Sequence, residues 1–536
     1  MTPSAKFLIC LLFVGVICLF GCNSQEAEQP PSQQGEVVDK EQTHASPVLD
    51  TQTLPAIDDN NTVPEDAEAI AEPVKMRFEP VRNPRGVVVM AERERQRTGF
   101  RNSDDFTLPE AIQIGELLRK EWSKLSPLDE RVLRSQGIRI IKGKHLTLCT
   151  DLPPSPEIDR LPEIFDRAVP EYCHFFGVDP QHVNAWQMRG CLIDDLEKFR
   201  AVDLLGTFPT HLNGYSVEDR LWVLEQKSDY FRRHLILHEG VHGFMNNVFG
   251  TCGQDWYMES TAEYLATHRW ENGRLELGIM PENTDAVMGW RRIEMVRADI
   301  KAGKIKTVDR IIRLPVRQDE PPTDYAWVWC FGFLLDNHPQ YRETYRDMAK
   351  WLTFADFSNR FYLQLADHWG ELQIEWLGLL DELQYGYDVP RIVIEQQEPP
   401  LGQPLTSSMA FDVDASRGWQ NSGVALEMGQ TYRITANGQY QLGDSPKVWY
   451  AEPNGVTFRY HKGQPVGLLI GAVVPIGLFD TDEEIPPKSV PFLSPILIGT
   501  GIELTPQQSG ILYLRINDSP AELGDNKGTC RVEIEN

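Results

Sequence analysis

The stretch RRHLILHEGVHGF, residues 232–244, decides how the middle of this chain folds. Its apolar residues recur at helical spacing, which predicts a buried helix. His238 and His242 are four residues apart, so on a helix both imidazoles project from one face and can bind one metal ion. Glu239 lies beside that pair, where it can take a proton from a metal-activated water and later deliver it to a leaving amine.

A two-histidine motif of this length also arises by chance, so it needs a third ligand. The stretch WYMESTAEYLA, residues 256–266, is typical of a second helix and has Glu259 and Glu263 on one face. The glycine-containing loop between the helices, residues 246–255, can reverse the chain. Glu259 would then complete a tetrahedral His2Glu zinc site with an open water position. Glu263, one turn later, would accept the free ring N–H of a ligand histidine.

An HExxH helix followed by a glutamate on a second helix resembles the gluzincin metallopeptidases, the thermolysin-like clan. The stretch from Gly214 to Trp270 is similar to a family of secreted bacterial proteins of unknown function, although Ser260 replaces the glycine common after the ligand glutamate. The resemblance covers roughly residues 140–350. It implies an α+β zincin-like domain that hydrolyses peptide bonds with Zn2+. It also implies that residues 221–225 form the edge strand that pairs with extended substrate.

Gluzincins use a later tyrosine or histidine to stabilise the oxyanion. By that resemblance Tyr325 is the candidate here, and a core aromatic beside Trp327 and Trp329 is the other interpretation. His234, one turn before His238, is expected at the surface or at a helix cap, with a position behind the metal ligands as the other interpretation, and His268 is expected to be structural. Two alternatives stay open for the whole cluster: incidental side chains on a helix, or a catalytically inactive zincin scaffold in a carbohydrate- or partner-binding surface lipoprotein.

Residues 1–22 are typical of a bacterial lipoprotein signal peptide. Lys6 supplies positive charge, and residues 7–20 form an apolar run of 14 residues, too short for a membrane span. The run ends in LFGC, which resembles a lipobox and implies that Cys22 is lipidated. A plain secretory peptide is the other interpretation. Both place the mature chain outside the cytoplasm, and the first anchors it to a membrane through lipid, at the periplasmic face or the cell surface.

Charge and composition separate the next segment from the rest. The chain has 52 basic and 78 acidic residues, a net −26, which argues against a nucleic-acid partner. Residues 23–75 hold 12 acidic residues and two lysines, so they contribute −10 of that charge. With little apolar surface to bury, they are expected to form a disordered linker.

Residues 76–395 have a globular composition and are assigned to the metallopeptidase-like domain. Outside the motif, four elements are predicted: helices at 107–125 and at 161–176, the latter broken at Pro170, and strands at 145–149 and 220–225. Six cysteines remain after the signal peptide, an even number that permits disulfides in an oxidising compartment. The pairing is left open, with Cys252–Cys330 as one option.

After a proline-containing linker, residues 390–403, the apolar period changes from helical to alternating. This predicts an all-β sandwich over residues 401–536. The predicted strands include residues 424–427, 432–436, 512–517 and 531–534. A loop at residues 517–526 joins the last two strands and concentrates oxygen donors, which suits calcium, with an acidic hairpin turn as the alternative.

This region resembles the bacterial calcium-dependent galactose-binding lectins (galactophilic lectin I family), through the final hairpin and residues 429–438. The resemblance implies a Ca2+ site made by three side chains and two backbone carbonyls. The side chains are those of Asp518, Asp525 and Asn526, and the carbonyls are those of Leu442 and Glu522. The lectin loop that holds the sugar through His and Gln has no clear counterpart at residues 448–459. Galactose-containing glycans are therefore an open expectation beside a peptide or protein substrate.

Overall fold

The computed structural model describes residues 106–121, 125–206, 208–316, 322–395, 403–405, 407–475 and 485–536. The predicted signal peptide, Cys22 and the acidic linker lie outside these residues. Within the described part, no helix has the length and apolar character needed to cross a membrane. The described residues form one compact unit that contains a helical region with its own sheet, followed by a β-sandwich. The multidomain fold class is therefore confirmed at this level.

The helices occupy the first part of the described chain. They are α1 Leu108–Leu118, α2 Glu130–Ser135, α3 Pro156–Asp159, α4 Leu161–Phe176, α5 Leu196–Ala201, α6 Asp229–Phe249, α7 Asp255–Ala266, α8 Arg292–Lys301, α9 Val308–Ile311, α10 Pro322–Asn337, α11 Arg342–Asp347, α12 Phe357–Gln364, α13 Trp369–Glu382 and α14 Val389–Ile392. The predicted helix at 107–125 is α1 plus a short 3-10 turn that ends at Glu121.

The break predicted at Pro170 is wrong, because α4 continues through it. Proline removes one backbone hydrogen bond from a helix interior and normally kinks it. Here the turns on both sides of Pro170 bury large side chains, among them Phe165 and Tyr172. That burial keeps both halves of α4 docked on the same core.

A five-stranded mixed sheet supports the helical region. Its strands are β1 Arg139–Lys142, β2 Leu146–Thr150, β3 Met188–Ile193, β4 Gly214–Val217 and β5 Arg220–Leu224, in the order β1-β2-β3-β5-β4. The pairs β2–β3 and β3–β5 are parallel, and the two outer strands are antiparallel to their neighbours. A two-strand hairpin, β6 His268–Glu271 and β7 Arg274–Leu277, follows α7.

The predicted edge strand at 221–225 is wrong in its position. Those residues form β5, which lies inside the sheet between β3 and β4. A two-residue turn at Glu218 and Asp219, with Glu218 at a φ of 52°, folds β4 back onto β5 and leaves β4 at the edge. The apolar β5 is buried, as an interior strand requires.

The C-terminal region is the predicted β-sandwich. Its strands are β8 Gln403–Pro404, β9 Met409–Asp414, β10 Gln420–Leu426, β11 Tyr432–Asn437, β12 Tyr440–Gly443, β13 Trp449–Ala451, β14 Tyr460–His461, β15 Gln464–Pro465, β16 Leu469–Val474, β17 Ile496–Leu497, β18 Gly501–Leu504, β19 Gly510–Ile516 and β20 Thr529–Glu535. One sheet has the order β17-β16-β19-β10-β8 and the other β18-β11-β20-β9. All four predicted strands are confirmed.

The sandwich and the helices share buried surface. Trp419 and Tyr513 belong to the same hydrophobic core as the helices, whereas the space between the two sheets forms a separate core. Arg515 in β19 forms a fully buried ion pair with Glu382 at the end of α13. Breaking a buried pair by removing one partner is strongly destabilising. The sandwich and the helices therefore pack against each other through buried side chains. The domain boundaries 76–395 and 401–536 stay predictions.

Candidate metal centre

The three predicted metal ligands meet between α6 and α7. Nε2 of His238 lies 3.1 Å from Oε2 of Glu259, and Nε2 of His242 lies 3.6 Å from the same oxygen. All three side chains are buried, and their ligand atoms lie within 4.8 Å of one another. This group of buried His and Glu side chains can hold a metal ion.

Two of these atoms lack any other partner. Nε2 of His242 and Oε2 of Glu259 are buried and accept or donate no hydrogen bond. In a tetrahedral site with bonds of about 2.0–2.1 Å, neighbouring ligand atoms lie roughly 3.3 Å apart. The separations at Glu259 bracket that value. Because unpartnered buried polar atoms are costly, the residues fit a cation between them.

The charge around Glu259 favours the same conclusion. Burial, with the nearby carboxylates of Glu239 and Glu263, raises the pKa of Glu259 to about 8 against the opposing effect of His242. A carboxyl group in this environment binds a proton when no other cation is present. A metal ion would take the place of that proton.

Glu239 stands next to the ligands and beneath the sheet edge. Its Oε2 lies 3.6 Å from Nδ1 of His242. Burial alone would raise the pKa of Glu239, but hydrogen bonds from His242 and Ser216, with the nearby His238, lower it overall, so this side chain is ionised at neutral pH. Gly214 in β4 makes room for it, since a Cβ there would come within 2.7 Å of Glu239 Oε1.

Charged groups lie behind His238. Oε1 of Glu263 lies 3.4 Å from Nδ1 of His238, but the two atoms do not form a hydrogen bond. Arg292 at the start of α8 donates two hydrogen bonds to Glu263, at 2.7 and 2.9 Å. These bonds fix the Glu263 carboxylate beside the ring, at the position from which an outer carboxylate orients a ligand histidine.

The expectation that His234 lies at the surface or at a helix cap is wrong. Its side chain is fully buried, with Nε2 3.3 Å from Glu263 and Nδ1 3.0 Å from the Ala266 carbonyl oxygen. The signal was present in the sequence, because His234, His238 and His242 repeat every four residues and share one helix face. No spacing or motif in the sequence indicated a role for Arg292.

Tyr325 lies beside the centre. The centroid of its ring is 6.3 Å from that of His238 and 6.0 Å from Cζ of Arg292. Burial, and then the negative charges of Glu259 and Glu239, raise the pKa of Tyr325 well above its ordinary value, so the phenol keeps its proton. Trp327 and Trp329, by contrast, are fully buried in the core.

Two other residues named from the sequence have structural contacts. His268 is buried and stacks on Tyr230 at 4.6 Å between ring centroids. The Ser260 hydroxyl lies 2.8 Å from that of Tyr345, and it fits because Gly332 faces it, where a Cβ would come within 2.3 Å.

The Cys252–Cys330 bond is not formed in the structure. No disulfide bond joins any of the six described cysteines, and all six are buried. Cys252, just after α6, directs its thiol to the His242 carbonyl oxygen at 3.4 Å, and Cys330 lies in the middle of α10.

The acidic loop of the sandwich brings together only part of its predicted set. Asp518 and Asn526 are buried, and Nδ2 of Asn526 donates to Asp518 at 3.0 Å. Oδ1 of Asn526 is buried and has no partner. The Glu522 side chain instead pairs with Arg459 at 2.6 Å.

The two remaining predicted positions are Asp525, inside this loop, and Leu442, in β12. The Asp525 carbonyl oxygen accepts a hydrogen bond from Nε2 of Gln441 at 2.7 Å. Leu442 follows Gln441 in β12, and Gln441 bridges to Lys527 at the end of the loop. The loop and β12 are therefore neighbours, as the predicted site requires.

No family model and no curated protein matches this chain. One similar solved structure is the EclA N-terminal domain, a PllA-like lectin, which is 23% identical, with 24% of this chain and 93% of that chain covered and a TM-score of 0.17. Another is IMPa from Pseudomonas aeruginosa in complex with an O-glycopeptide, which is 9% identical, with 84% of this chain covered and a TM-score of 0.15. The match covers 54% of IMPa, about half its length. At these TM-scores neither likeness establishes a shared fold.

Proposed function

We propose that this protein is a zinc-dependent metallopeptidase of the gluzincin type, with a zincin-like domain in which His238, His242 and Glu259 hold Zn2+. The observation that supports this most strongly is the pair of unpartnered buried atoms, Nε2 of His242 and Oε2 of Glu259, at a separation close to a tetrahedral edge. Two imidazoles and one carboxylate are a donor set that zinc favours and that leaves one position open.

The residues around the ligands have the properties that peptide hydrolysis needs. A zinc ion, when bound, supplies Lewis-acid activation of water and polarisation of the scissile carbonyl group. Glu239, ionised and adjacent, would accept the proton of the attacking water and return it to the leaving amine. The protonated hydroxyl of Tyr325 would donate a hydrogen bond to the developing oxyanion.

The free edge of β4 would align the substrate. Among the described residues, β4 pairs with β5 on one side only, and Gly214 places the β4 backbone against Glu239. An extended peptide added as a further strand would gain main-chain hydrogen bonds and lie across the carboxylate. The proposed substrate is therefore an extended segment of a peptide or protein.

Lipidation at Cys22 would hold this activity outside the cytoplasm, with residues 23–75 as a spacer. A flexible chain of that length has a root-mean-square reach on the order of 40 Å. The enzyme would then act on proteins near the membrane surface.

A second function, calcium-dependent glycan binding by the sandwich, has one specific observation in its favour. The side-chain amide oxygen of Asn526, Oδ1, is buried and has no hydrogen-bond partner. It belongs to a side chain that contacts the Asp518 carboxylate, as a Ca2+ ligand would. Exposed aromatic rings lie on the strands and turns that follow β12: Tyr450 is 54% exposed, Phe458 71% and Tyr460 58%. Galactose-containing glycans are the proposed ligands.

Metal analysis with chelation tests the peptidase. The purified full-length protein is expected to contain one zinc per chain and to cleave members of a peptide library that includes bare and O-glycosylated sequences. Removal of the metal should abolish cleavage, and zinc should restore it. One bound zinc without cleavage of any member would favour the inactive scaffold. Absence of bound metal, with no uptake on zinc addition, would contradict both.

A further inference from the structure

Two of the six described cysteines lie side by side. Cys149 in β2 and Cys191 in β3 are direct partners in the parallel pairing of these strands. Adjacent strands are about 4.7–4.9 Å apart, within the Cα separation of about 4.4–6.8 Å that a disulfide spans. Each thiol affects the pKa of the other, as neighbouring groups do.

Both side chains point to the same face of the sheet. Cys149 and Cys191 belong to a small core with Trp222, on the neighbouring strand β5, whereas Leu148 and Leu192 belong to the main core that contains α6. Because successive strand residues face opposite sides, this division places the two sulfur atoms in one layer. A bond between them needs no change of strand register.

The surroundings of the two thiols lower the pKa of one of them, and both side chains are buried in the folded protein. The neighbouring Cys191 thiol lowers the pKa of Cys149, and the charge of Arg189 lowers it further, against the effect of burial. The thiolate is the form that attacks a disulfide.

We propose that Cys149 and Cys191 form a disulfide bond in the oxidising compartment where the chain is expected to act. The Cys149 thiolate attacks a disulfide of a thiol–disulfide exchange protein or of oxidised glutathione, and one thiol of that oxidant leaves. Cys191 then loses its proton, attacks the mixed disulfide and releases the second thiol. The chain loses two electrons and two protons, and the oxidant gains them. The bond ties β2 to β3 in the sheet whose outer strand is β4.

The other four cysteines occupy separate elements. Cys173 lies in α4, Cys252 after α6, Cys330 in α10 and Cys530 in β20. A single specific bond with four remaining thiols is therefore expected. This proposal does not depend on the metal site.

Alkylation without reductant tests the bond. The full-length protein, exported by a bacterial host, is denatured and alkylated, and its peptides are identified by mass spectrometry. Four alkylated cysteines and one linked peptide pair carrying Cys149 and Cys191 are expected. Alkylation of all six, or a link between any other pair, would overturn the proposal.

A second experiment forms the bond in vitro, so it does not depend on export of the protein by a host cell. Reduced purified protein is unfolded in denaturant and refolded with oxidised glutathione, and the same linked pair should form in the wild type and in Cys173→Ser but not in Cys149→Ser. The oxidised wild type should melt about 5 °C above the reduced form, because the bond closes a long loop. Mixed glutathione adducts without the internal bond, or equal melting temperatures, would count against it.

Discussion

The helical metal centre and the acidic loop of the sandwich are both predicted from donor residues at fixed spacings, yet the chain builds them differently. On α6 and α7 the donors converge, because helical spacing decides which side chains share a face. In the loop Asp518 and Asn526 meet, while the side chain of Glu522, which is predicted to contribute only its backbone carbonyl, pairs with Arg459. Spacing therefore specifies geometry inside a regular helix and specifies much less in a loop, whose backbone has no fixed period.

The largest expected effect comes from Glu259. Replacement of Glu259 by Ala removes one of three zinc ligands and should weaken zinc binding by at least about 100-fold, more than the loss of an outer contact does. Competition with a chromophoric chelator measures it. Asp518→Ala, the corresponding change in the loop, should leave zinc affinity within error. Equal losses in both variants would remove the distinction between the two regions.

A smaller loss of zinc affinity is expected from a change at Glu263, which lies behind the proposed ligand His238. Glu263→Gln keeps the shape of the side chain but weakens its contacts with Arg292 and His238, so zinc affinity should fall by about 10- to 100-fold. Glu271→Gln, an exposed change shortly after it in the chain, is the matched control. Unchanged zinc affinity in the Glu263→Gln variant would show that Glu263 does not orient His238.

The pH dependence of zinc binding follows from Glu259. Its pKa in the metal-free protein is raised to about 8, chiefly by burial, so below that pH zinc must displace a proton. Affinity should therefore rise between pH 6 and pH 8, by up to about tenfold per pH unit from this group, and level off above pH 8. Isothermal titration at several pH values measures the slope. A flat profile would mean that Glu259 is already ionised or is not a ligand.

How far the sequence predicts the site depends on where each residue lies. His238, His242, Glu259 and Glu263 follow from periodicity within two helices. His234 obeys the same period. Arg292 was not predictable, because α8 reaches Glu263 only through tertiary packing.

The sheet shows the same limit. Residues 220–225 are recognisable as a strand, but their place inside the sheet depends on the turn at Glu218, which folds β4 outside them. Likewise, nothing in the sequence sets Cys149 against Cys191 until β2 and β3 are paired in register.

The smallest expected effect concerns calcium. Millimolar Ca2+ should raise the melting temperature of the wild type by about 3 °C, as a ligand that binds only the folded state does. Asp518→Asn should remove the shift. Glu522→Gln should retain it, since that carboxylate pairs with Arg459 and is predicted to contribute only its backbone. No shift in the wild type would favour an acidic hairpin turn without an ion.

The most direct test of the central claim compares Glu239→Gln with the wild type in zinc content and peptide hydrolysis. Glu239 contacts the ligand set and is proposed as the base, so the variant should keep one zinc per chain and lose hydrolysis. Glu171→Gln, an exposed change on α4, should keep both. Hydrolysis by the Glu239→Gln protein at the wild-type rate would contradict the account.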